Sequence, residues 1–420
     1  MRRPVPLKAG LREHLDTARR LWNHPRAARE EVVRFQNRKL QVLIQHAYAN
    51  VSYYRRCFDD AGVRPSEIRS ASDLSRLPVT TKADLHVQPT RVRRSVFEDQ
   101  ILNLFRVRTL HLLGRRSSDR GAKIGSAGVP SDKKPSRISM APAKLGLYKF
   151  QHIDGLRAPF DIARDLARLE PDVIEGYPGV FAEVGTLWST LGRRSRSPRL
   201  VFPGGELMTP TMRRRITEGL GARVLDTYGS HEFNMLGWEC PESGVMHVCD
   251  DNVIVEVLRD GRAARPGESG EVVVTGRHSY ASPYIRYALG DVVTVGPQDC
   301  SCGLPFSTIL NVRSRVMDYC VLPNGRHRHH WELIPITFWD MLWHRRYQLV
   351  QETKHRFVLR VVLDASPPPA DVDHLERCIH EKLGSDATFR IDYVSDLESG
   401  PVGKRRLCRS EVGASDPSAS

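Results

Sequence analysis

The spacing of hydrophobic residues changes along the chain, and the changes indicate which segments form helices and which form strands. Between Glu30 and Ala49, apolar side chains recur mainly at steps of three and four residues, which predicts an amphipathic helix. Three later apolar runs, at 172–174, 200–202 and 224–225, each precede a loop, and we interpret them as strand–loop–helix units. Ligands in open α/β sheets lie beyond the carboxyl ends of the strands, so these loops are expected to converge on one pocket.

A second pattern predicts paired strands that lead to an acidic residue. Apolar runs at 254–258 and 270–275 flank an Asp-Gly turn and are interpreted as neighbouring strands. They precede residues 282–291, Ser-Pro-Tyr-Ile-Arg-Tyr-Ala-Leu-Gly-Asp, where we expect Asp291 on a tight glycine turn directly after the apolar run. A carboxylate accepts hydrogen bonds from hydroxyl groups, so Asp291 can bind a ribose. The alternative is a strand and a Gly-Asp turn without a binding role.

The last quarter of the chain has the pattern of a separate small unit. After about Ser314 we predict a strand at 357–363, a break at three consecutive prolines, a helix at 372–383 and a strand at 389–394. Mixed strands and helices of this length are typical of a compact α+β unit.

The length and composition are consistent with two domains. The chain has 420 residues, 40 % of them hydrophobic, which is enough for one large and one small core. The predicted fold class is α/β, with a large N-terminal domain of mixed and parallel sheets at 1–313 and a small α+β domain at 314–410. Residues 411–420 are rich in Ser, Ala and Asp and are expected to form a disordered tail.

Charge and hydropathy indicate which kinds of molecule the protein binds. The net charge is +14, but the basic runs are short and scattered, and no nucleic-acid-binding motif accompanies them. No stretch approaches 18 consecutive apolar residues, and no apolar run follows the basic N-terminus. We therefore predict a cytoplasmic protein that binds neither nucleic acid nor membrane and whose charge serves solvated surfaces and an anionic substrate.

Several short motifs, each weak alone, follow one another in a specific order. They are Ser-Tyr-Tyr-Arg at 52–55, Leu-Pro-Val-Thr-Thr-Lys-Ala-Asp-Leu at 77–85, Glu-Gly-Tyr-Pro at 175–178, Gly-Glu-Leu at 205–207, Asp-Thr-Tyr-Gly-Ser-His-Glu at 226–232, Gly-Asp at 290–291 and Gly-Lys-Arg-Arg at 403–406. In this order, from about Leu40 to Lys404, the chain resembles the adenylate-forming ligases. Within them it is most similar to the branch that contains the phenylacetate-CoA ligases, the coenzyme F390 synthetases and the capsule-biosynthesis CapK-like proteins.

The resemblance implies an enzyme that joins a carboxylic acid to the α-phosphate of ATP, expels pyrophosphate, and transfers the acyl group to the thiol of coenzyme A. The transition state gathers negative charge, which calls for a positioned cation and a metal ion. By resemblance, Lys404 is the catalytic cation and Glu232 is the catalytic residue that binds Mg²⁺. The small C-terminal domain is expected to be mobile, because glycines and a proline precede Lys404.

The resemblance also assigns the residues that bind the nucleotide. Tyr228 and Gly229 match the pair that stacks on adenine, and Gly205 and Glu206 match a wall of the adenine pocket. Asp291 matches the ribose ligand. Arg315 matches a hinge arginine that reaches the same ribose, although Ser314 stands where the family has glycine.

Four residues have the chemistry of a structural zinc site. Cys240 and His247 bracket a short loop, and Cys300 and Cys302 form a tight Cys-Ser-Cys-Gly turn. Four soft ligands suit tetrahedral Zn²⁺ and leave no open position for catalysis. Members of this branch carry a similar set; the alternative is a group of buried free thiols.

The chain departs from the family at the phosphate-binding loop. Family members carry a Ser/Thr/Gly-rich loop that follows the position of Lys82 by a few tens of residues and holds the phosphates of ATP. Here no glycine occurs between Gly62 and Gly114, and the loop is interpreted as deleted.

Two hypotheses follow. The first is an AMP-forming ligase for an organic, by analogy aromatic, acid. The second is a non-catalytic or impaired relative that keeps the fold as a binding or scaffold protein. The pattern leaves the acid open, and it leaves open whether the acceptor is coenzyme A, a carrier-protein thiol or an amine. A homodimer is one option for assembly.

Overall fold

The computed structural model describes residues 11–86, 96–125, 150–155, 157–188, 196–315, 319–325, 327–329, 333–335, 337–338, 341, 343–397 and 407–412. They form two compact units. The first unit comprises the described parts of 1–115 and 227–312, and the second comprises those of 116–226 and 313–420. Among the described residues, no helix has both the length and the apolar character of a membrane span. The domain division at 313/314 stays a prediction.

Helices come first along the described chain, helices and strands alternate between 159 and 224, and most of the remaining elements are strands. The helices are α1 (Leu11–Asn23), α2 (Arg29–Asn50), α3 (Ser52–Asp60), α4 (Lys82–His86), α5 (Val96–Leu112), α6 (Pro159–Leu169), α7 (Pro178–Trp188), α8 (Pro210–Leu220) and α9 (Pro369–Leu383). The strands are β1 (Gly121–Gly125), β2 (Phe150–Asp154), β3 (Val173–Gly176), β4 (Leu200–Pro203), β5 (Arg223–Val224), β6 (Thr227–Ser230), β7 (Asn234–Glu239), β8 (Met246–Val248), β9 (Val253–Arg259), β10 (Arg262–Ala263), β11 (Ser269–Gly276), β12 (Tyr287–Val295), β13 (Thr308–Arg315), β14 (Tyr319–Val321), β15 (His327–His329), β16 (His344–Thr353), β17 (Arg356–Leu363), β18 (Thr388–Tyr393) and β19 (Cys408–Ser410).

The first unit contains an eight-stranded sheet in the order β10-β9-β11-β12-β13-β8-β7-β6. The pairs β9–β11, β11–β12, β6–β7, β7–β8 and β8–β13 are antiparallel. The predicted helix at 30–49 is confirmed as α2, whose buried face includes Leu40, Leu43 and Ile44. That face packs into one apolar cluster with Tyr54 of α3 and Ile285.

The second unit contains two main sheets. The five strands in the order β2-β1-β3-β4-β5 are all parallel, and helices α6, α7 and α8 contribute buried apolar residues to the cluster around them. A four-stranded sheet, β18-β17-β16-β19, packs against α9. Within this unit, Arg346 of β16 forms an almost fully buried ion pair with Glu183 of α7 at 3.2 Å. The α/β class with a parallel sheet is thus confirmed.

The predicted strand–loop–helix units are confirmed at β3–α7 and β4–α8, and the third is wrong. β5 is followed by another strand, β6, rather than by a helix. β6 pairs with β7, so a partner strand decides its conformation. In the C-terminal segment the strands at 357–363 and 389–394 and the helix at 372–383 are confirmed as β17, β18 and α9, whose first residue is a proline.

A buried charge network lies at the centre of the first unit. Asp251 has no exposed surface and forms an ion pair with Arg108 of α5, whose Nη2 lies 2.9 Å from Oδ1. His24 Nδ1 lies 3.0 Å from the other carboxylate oxygen. Burial alone would raise the pKa of Asp251, but Arg108 and His24 hold it well below its usual range. The stabilisation by the carboxylate is therefore present above about pH 4 and is lost as the pH falls further.

We expect Asp251→Asn to lower the free energy of unfolding by about 3 to 5 kcal/mol, because Arg108 would remain buried without a counter-charge. Urea unfolding followed by circular dichroism measures the change. Asp260→Asn is the matched control, since the Asp260 side chain is 90 % exposed. Equal unfolding midpoints for the two variants would contradict the importance of the network.

Candidate functional site

Two residues that separate motifs predict to bind the nucleotide are hydrogen-bonded to each other in the first unit. Tyr228, on β6, is 8 % exposed, and its hydroxyl donates a 2.8 Å hydrogen bond to Oδ2 of Asp291 on β12. The aromatic ring offers a flat apolar face, and the carboxylate accepts hydroxyl hydrogens. A nucleoside needs both kinds of surface side by side.

The backbone around Asp291 is a bulge and not the predicted turn. Val273 of β11 pairs with Ala288 and Glu271 pairs with Val292, so three residues of β12 lie opposite one residue of β11. Gly290 in the bulge has a φ of +81°, a conformation that glycine adopts without strain. The expectation of a turn that ends the strand was therefore wrong, because β12 continues past Asp291. The bulge re-aims the carboxylate within a paired strand.

Glu232 lies in the turn between β6 and β7. Its carboxylate is partly buried, and the hydroxyl of Tyr287 lies 3.5 Å from its Oε1. Burial and the nearby Glu232 charge raise the pKa of Tyr287 above its ordinary value, so the phenol keeps its proton. Carboxylate oxygens are the ligands that Mg²⁺ takes, so the donor type at Glu232 fits this ion.

Gly205 and Glu206 belong to the second unit, in the loop after β4. The Glu206 carboxylate accepts a 3.3 Å hydrogen bond from the backbone N–H of Gly179, at the start of α7. The backbone N–H of Gly204 donates to the carbonyl of Gly176 at 2.9 Å. The loops after β3 and β4 therefore contact each other, which confirms for these two loops the convergence expected at the carboxyl ends of parallel strands.

The side chains of two predicted site residues lie outside the part of the chain that the structure describes. Lys404 lies outside the described residues. Arg315 is the last residue of β13, and its side chain is outside the described part as well. Their predicted roles, like those of the other site residues, stay predictions.

The four predicted zinc ligands come together in the first unit. Ligand atoms of Cys240, His247, Cys300 and Cys302 all lie within 4.8 Å of one another. The sulfurs of Cys240 and Cys300 are 3.7 Å apart, and His247 Nε2 lies 3.1 Å from the sulfur of Cys302. Zinc with Zn–S bonds of about 2.3 Å would place tetrahedral sulfurs about 3.8 Å apart, so the cluster has suitable dimensions.

The pKa shifts in this cluster differ from one ligand to the next. Burial lowers the pKa of His247, which keeps the imidazole neutral as a ligand must be. Burial raises the pKa of the Cys302 thiol to about 12. Burial by itself would raise the pKa of Cys300, but hydrogen bonds from Ser243 and the neighbouring cysteines lower it. A central dication would let all the thiols ionise.

Sequence reasoning missed Tyr287 as part of this site. The residue lies inside the segment 282–291 that drew attention to Asp291. Its pairing with Glu232, 55 residues away, depends on two strands of one sheet, and neither motif alone indicates it.

Comparison with known proteins identifies relatives. No family model matches the chain. It is 26 % identical over 317 residues to a phenylacetate-coenzyme A ligase of Thermus thermophilus, covering 66 % of this chain and 68 % of the relative. It is 28 % identical over 300 residues to the phenylacetate-coenzyme A ligase of Escherichia coli, covering 64 % and 69 %. The protein CapK of Staphylococcus aureus is 23 % identical over 285 residues, covering 62 % and 57 %.

Solved structures share the fold. A 2-hydroxyisobutyryl-CoA ligase in the postadenylation state superimposes with a TM-score of 0.72 at 19 % identity, covering 90 % of this chain and 89 % of that one. The anthranilate CoA ligase AuaEII in complex with anthranoyl-AMP gives 0.52 at 18 % identity, covering 69 % and 57 %. In sequence the chain is therefore similar to the phenylacetate-CoA ligases, and its fold is the one seen in solved structures of CoA ligases.

Proposed function

We propose that the protein is an AMP-forming acid–thiol ligase. It activates an organic acid, aromatic by analogy with its relatives, as an acyl-adenylate and transfers the acyl group to coenzyme A. The observation that carries the proposal is the hydrogen bond between Tyr228 and Asp291, two residues assigned to one nucleoside from motifs 63 positions apart. Relatives named phenylacetate-coenzyme A ligase support the substrate class.

Each residue has a distinct task in this proposal. The ring of Tyr228 stacks on adenine, and the carboxylate of Asp291 accepts the ribose hydroxyls. Glu232 binds Mg²⁺, which when present neutralises charge on the phosphates. Lys404 stabilises the oxygens that become more negative as the carboxylate attacks phosphorus. Gly205, Glu206 and Arg315 keep the nucleotide-binding roles that the resemblance implies.

The missing phosphate loop supports a second candidate, a relative that keeps the fold for binding only. No glycine occurs between Gly62 and Gly114, and we interpret the flexible backbone cradle for the phosphates as deleted. Losing one preorganised donor slows a reaction by about 100- to 1000-fold. We favour the enzyme because Lys404, Glu232 and Asp291 serve adenylation together, and a pure binding protein has little use for a catalytic lysine.

The remaining assignments are part of the same proposal. The acceptor is coenzyme A; a carrier-protein thiol would need the same first half-reaction. Cys240, His247, Cys300 and Cys302 hold a structural Zn²⁺ that ties the loop after β7 to the loop before β13. Cytoplasmic location and a homodimer are carried over as sequence predictions.

Adenylation is tested by pyrophosphate release with ATP, Mg²⁺ and a panel of aromatic and aliphatic acids. We expect acid-dependent release, and we expect Lys404→Ala to reduce it by more than about 100-fold, because a positioned charge stabilises the transition state. Lys354→Ala is the control, since Lys354 is an exposed lysine in the turn after β16. A folded wild-type protein that releases no pyrophosphate with any acid would favour the binding-only relative.

The affinity for ATP tests the nucleotide-binding role proposed for Tyr228 and Asp291 in the first unit. We expect Asp291→Asn to weaken ATP binding about 10- to 100-fold, because hydrogen bonds to a charged acceptor contribute about 1.5 to 3 kcal/mol. Isothermal titration calorimetry measures the affinity, with Asp260→Asn as the control. Unchanged affinity in Asp291→Asn would remove this residue from the nucleotide site.

Metal analysis tests the Cys/His cluster. We expect about one zinc per chain in the purified protein, and a loss of zinc with a lower melting temperature in Cys240→Ser, because structural zinc contributes directly to folding. Cys378→Ser, at a half-buried cysteine outside the cluster, should keep its zinc. Zinc-free wild-type protein with unchanged stability would support free thiols.

A further inference from the structure

The residue before Tyr287 has an unusual backbone conformation. Arg286 has a φ of +48°, in the left-handed region that bulky residues rarely adopt. Strain of this kind persists only when surrounding contacts hold it, and it is frequent at functional sites. We therefore asked which contacts hold Arg286 in this conformation and which neighbouring side chain it positions.

Contacts from three segments fix Arg286. Its Nη2 lies 3.1 Å from Oε1 of Glu256 on β9, and its Nη1 donates to the carbonyl of Leu77. Its backbone N–H donates to the hydroxyl of Thr275 at 3.0 Å. The residue is 6 % exposed, so these bonds form away from water and restrict the residue strongly.

Thr80 clamps the peptide groups on both sides of Tyr287. The backbone N–H of Thr80 donates to the carbonyl of Arg286 at 2.8 Å, and the backbone N–H of Ala288 donates to the carbonyl of Thr80 at 2.8 Å. Thr80 is 1 % exposed and forms an isolated parallel bridge with Tyr287. The backbone of Tyr287 is thus held independently of its side chain.

Neighbouring aromatic rings pack against the ring of Tyr287, and its hydroxyl lies next to Glu232. The ring centroid lies 5.1 Å from that of Tyr284 and 6.3 Å from that of Phe233, and Tyr287 is 5 % exposed. Its hydroxyl lies 3.5 Å from Oε1 of Glu232. Bonds of this length in a ligand-free site often shorten when the ligand binds.

We propose that Tyr287 is a positioning residue that orients the carboxylate of Glu232, and that the Arg286 conformation and the Thr80 clamp serve to aim its hydroxyl. The inference rests on the proposed function and adds a residue to its metal-binding side. Partners that orient a metal ligand typically change metal affinity or activity about 10- to 100-fold when they are removed. The alternative is a core tyrosine whose ring alone matters.

The test compares Tyr287→Phe with Tyr284→Phe, which removes a hydroxyl from the same ring cluster. Calorimetry measures ATP affinity with and without Mg²⁺. We expect Tyr287→Phe to reduce the enhancement of ATP affinity by Mg²⁺ about tenfold, with the Mg²⁺-free affinity unchanged. Tyr284→Phe should leave both affinities unchanged. Equal effects in the two variants, or an unfolded Tyr287→Phe, would overturn the inference in favour of a structural role.

A double-mutant cycle shows whether Tyr287 acts through Glu232. In a Glu232→Gln background, Tyr287→Phe should cause no further loss of Mg²⁺-enhanced ATP binding, because the carboxylate that it orients is already gone. Additive losses would overturn the inference. Wild-type protein that binds ATP in a Mg²⁺-dependent way but releases no pyrophosphate refutes the proposed function alone. Wild-type protein whose ATP affinity does not respond to Mg²⁺ overturns the inference.

Discussion

The pairing of buried Asp251 with Arg108 holds together the part of the first unit on which the candidate site is built. Next to it, the side-chain amide of Asn252 donates to the carbonyls of Phe233 and Met235 at 3.0 and 2.7 Å. Phe233 directly follows Glu232 in the turn between β6 and β7, and Met235 lies in β7. A carboxylate this deeply buried is stable only with its counter-charge, so the position of the segment 251–252 depends on this ion pair.

The site itself is built on two local departures from regular strand geometry. Arg286 has a left-handed backbone conformation, and Gly290 lies in a bulge four residues later. Each departure re-aims one side chain: Tyr287 towards Glu232 and Asp291 towards Tyr228. In a regular strand through 287–291 both side chains would lie on the same face of the sheet at a fixed spacing, because side chains alternate with a period of two. The irregularities therefore set the geometry of the candidate site, at an energetic cost that the surrounding contacts offset.

The sequence predicts an unusual way of handling phosphate. Residues of suitable chemistry are proposed for the nucleoside, whereas the glycine-rich cradle implied by the resemblance is interpreted as deleted, since no glycine occurs between Gly62 and Gly114. If adenylation occurs, the negative charge must be met mainly by cationic and metal-bound groups such as Lys404 and Glu232. Precise orientation of Glu232 would then matter more than in a protein with the loop.

The sequence alone determined the helix α2, the strands β3, β4, β9, β11, β17 and β18, the helix α9 and the composition of the Cys/His cluster. These follow from periodicity, turn residues and ligand chemistry, which act over short stretches. Tertiary structure decided that β5 leads into a strand, that Gly290 lies in a bulge, and that Tyr287 meets Glu232. It also decided the buried strand β16, where the amide of Gln351 bridges β14 and β19. Such features depend on partners distant in sequence, so no local pattern can specify them.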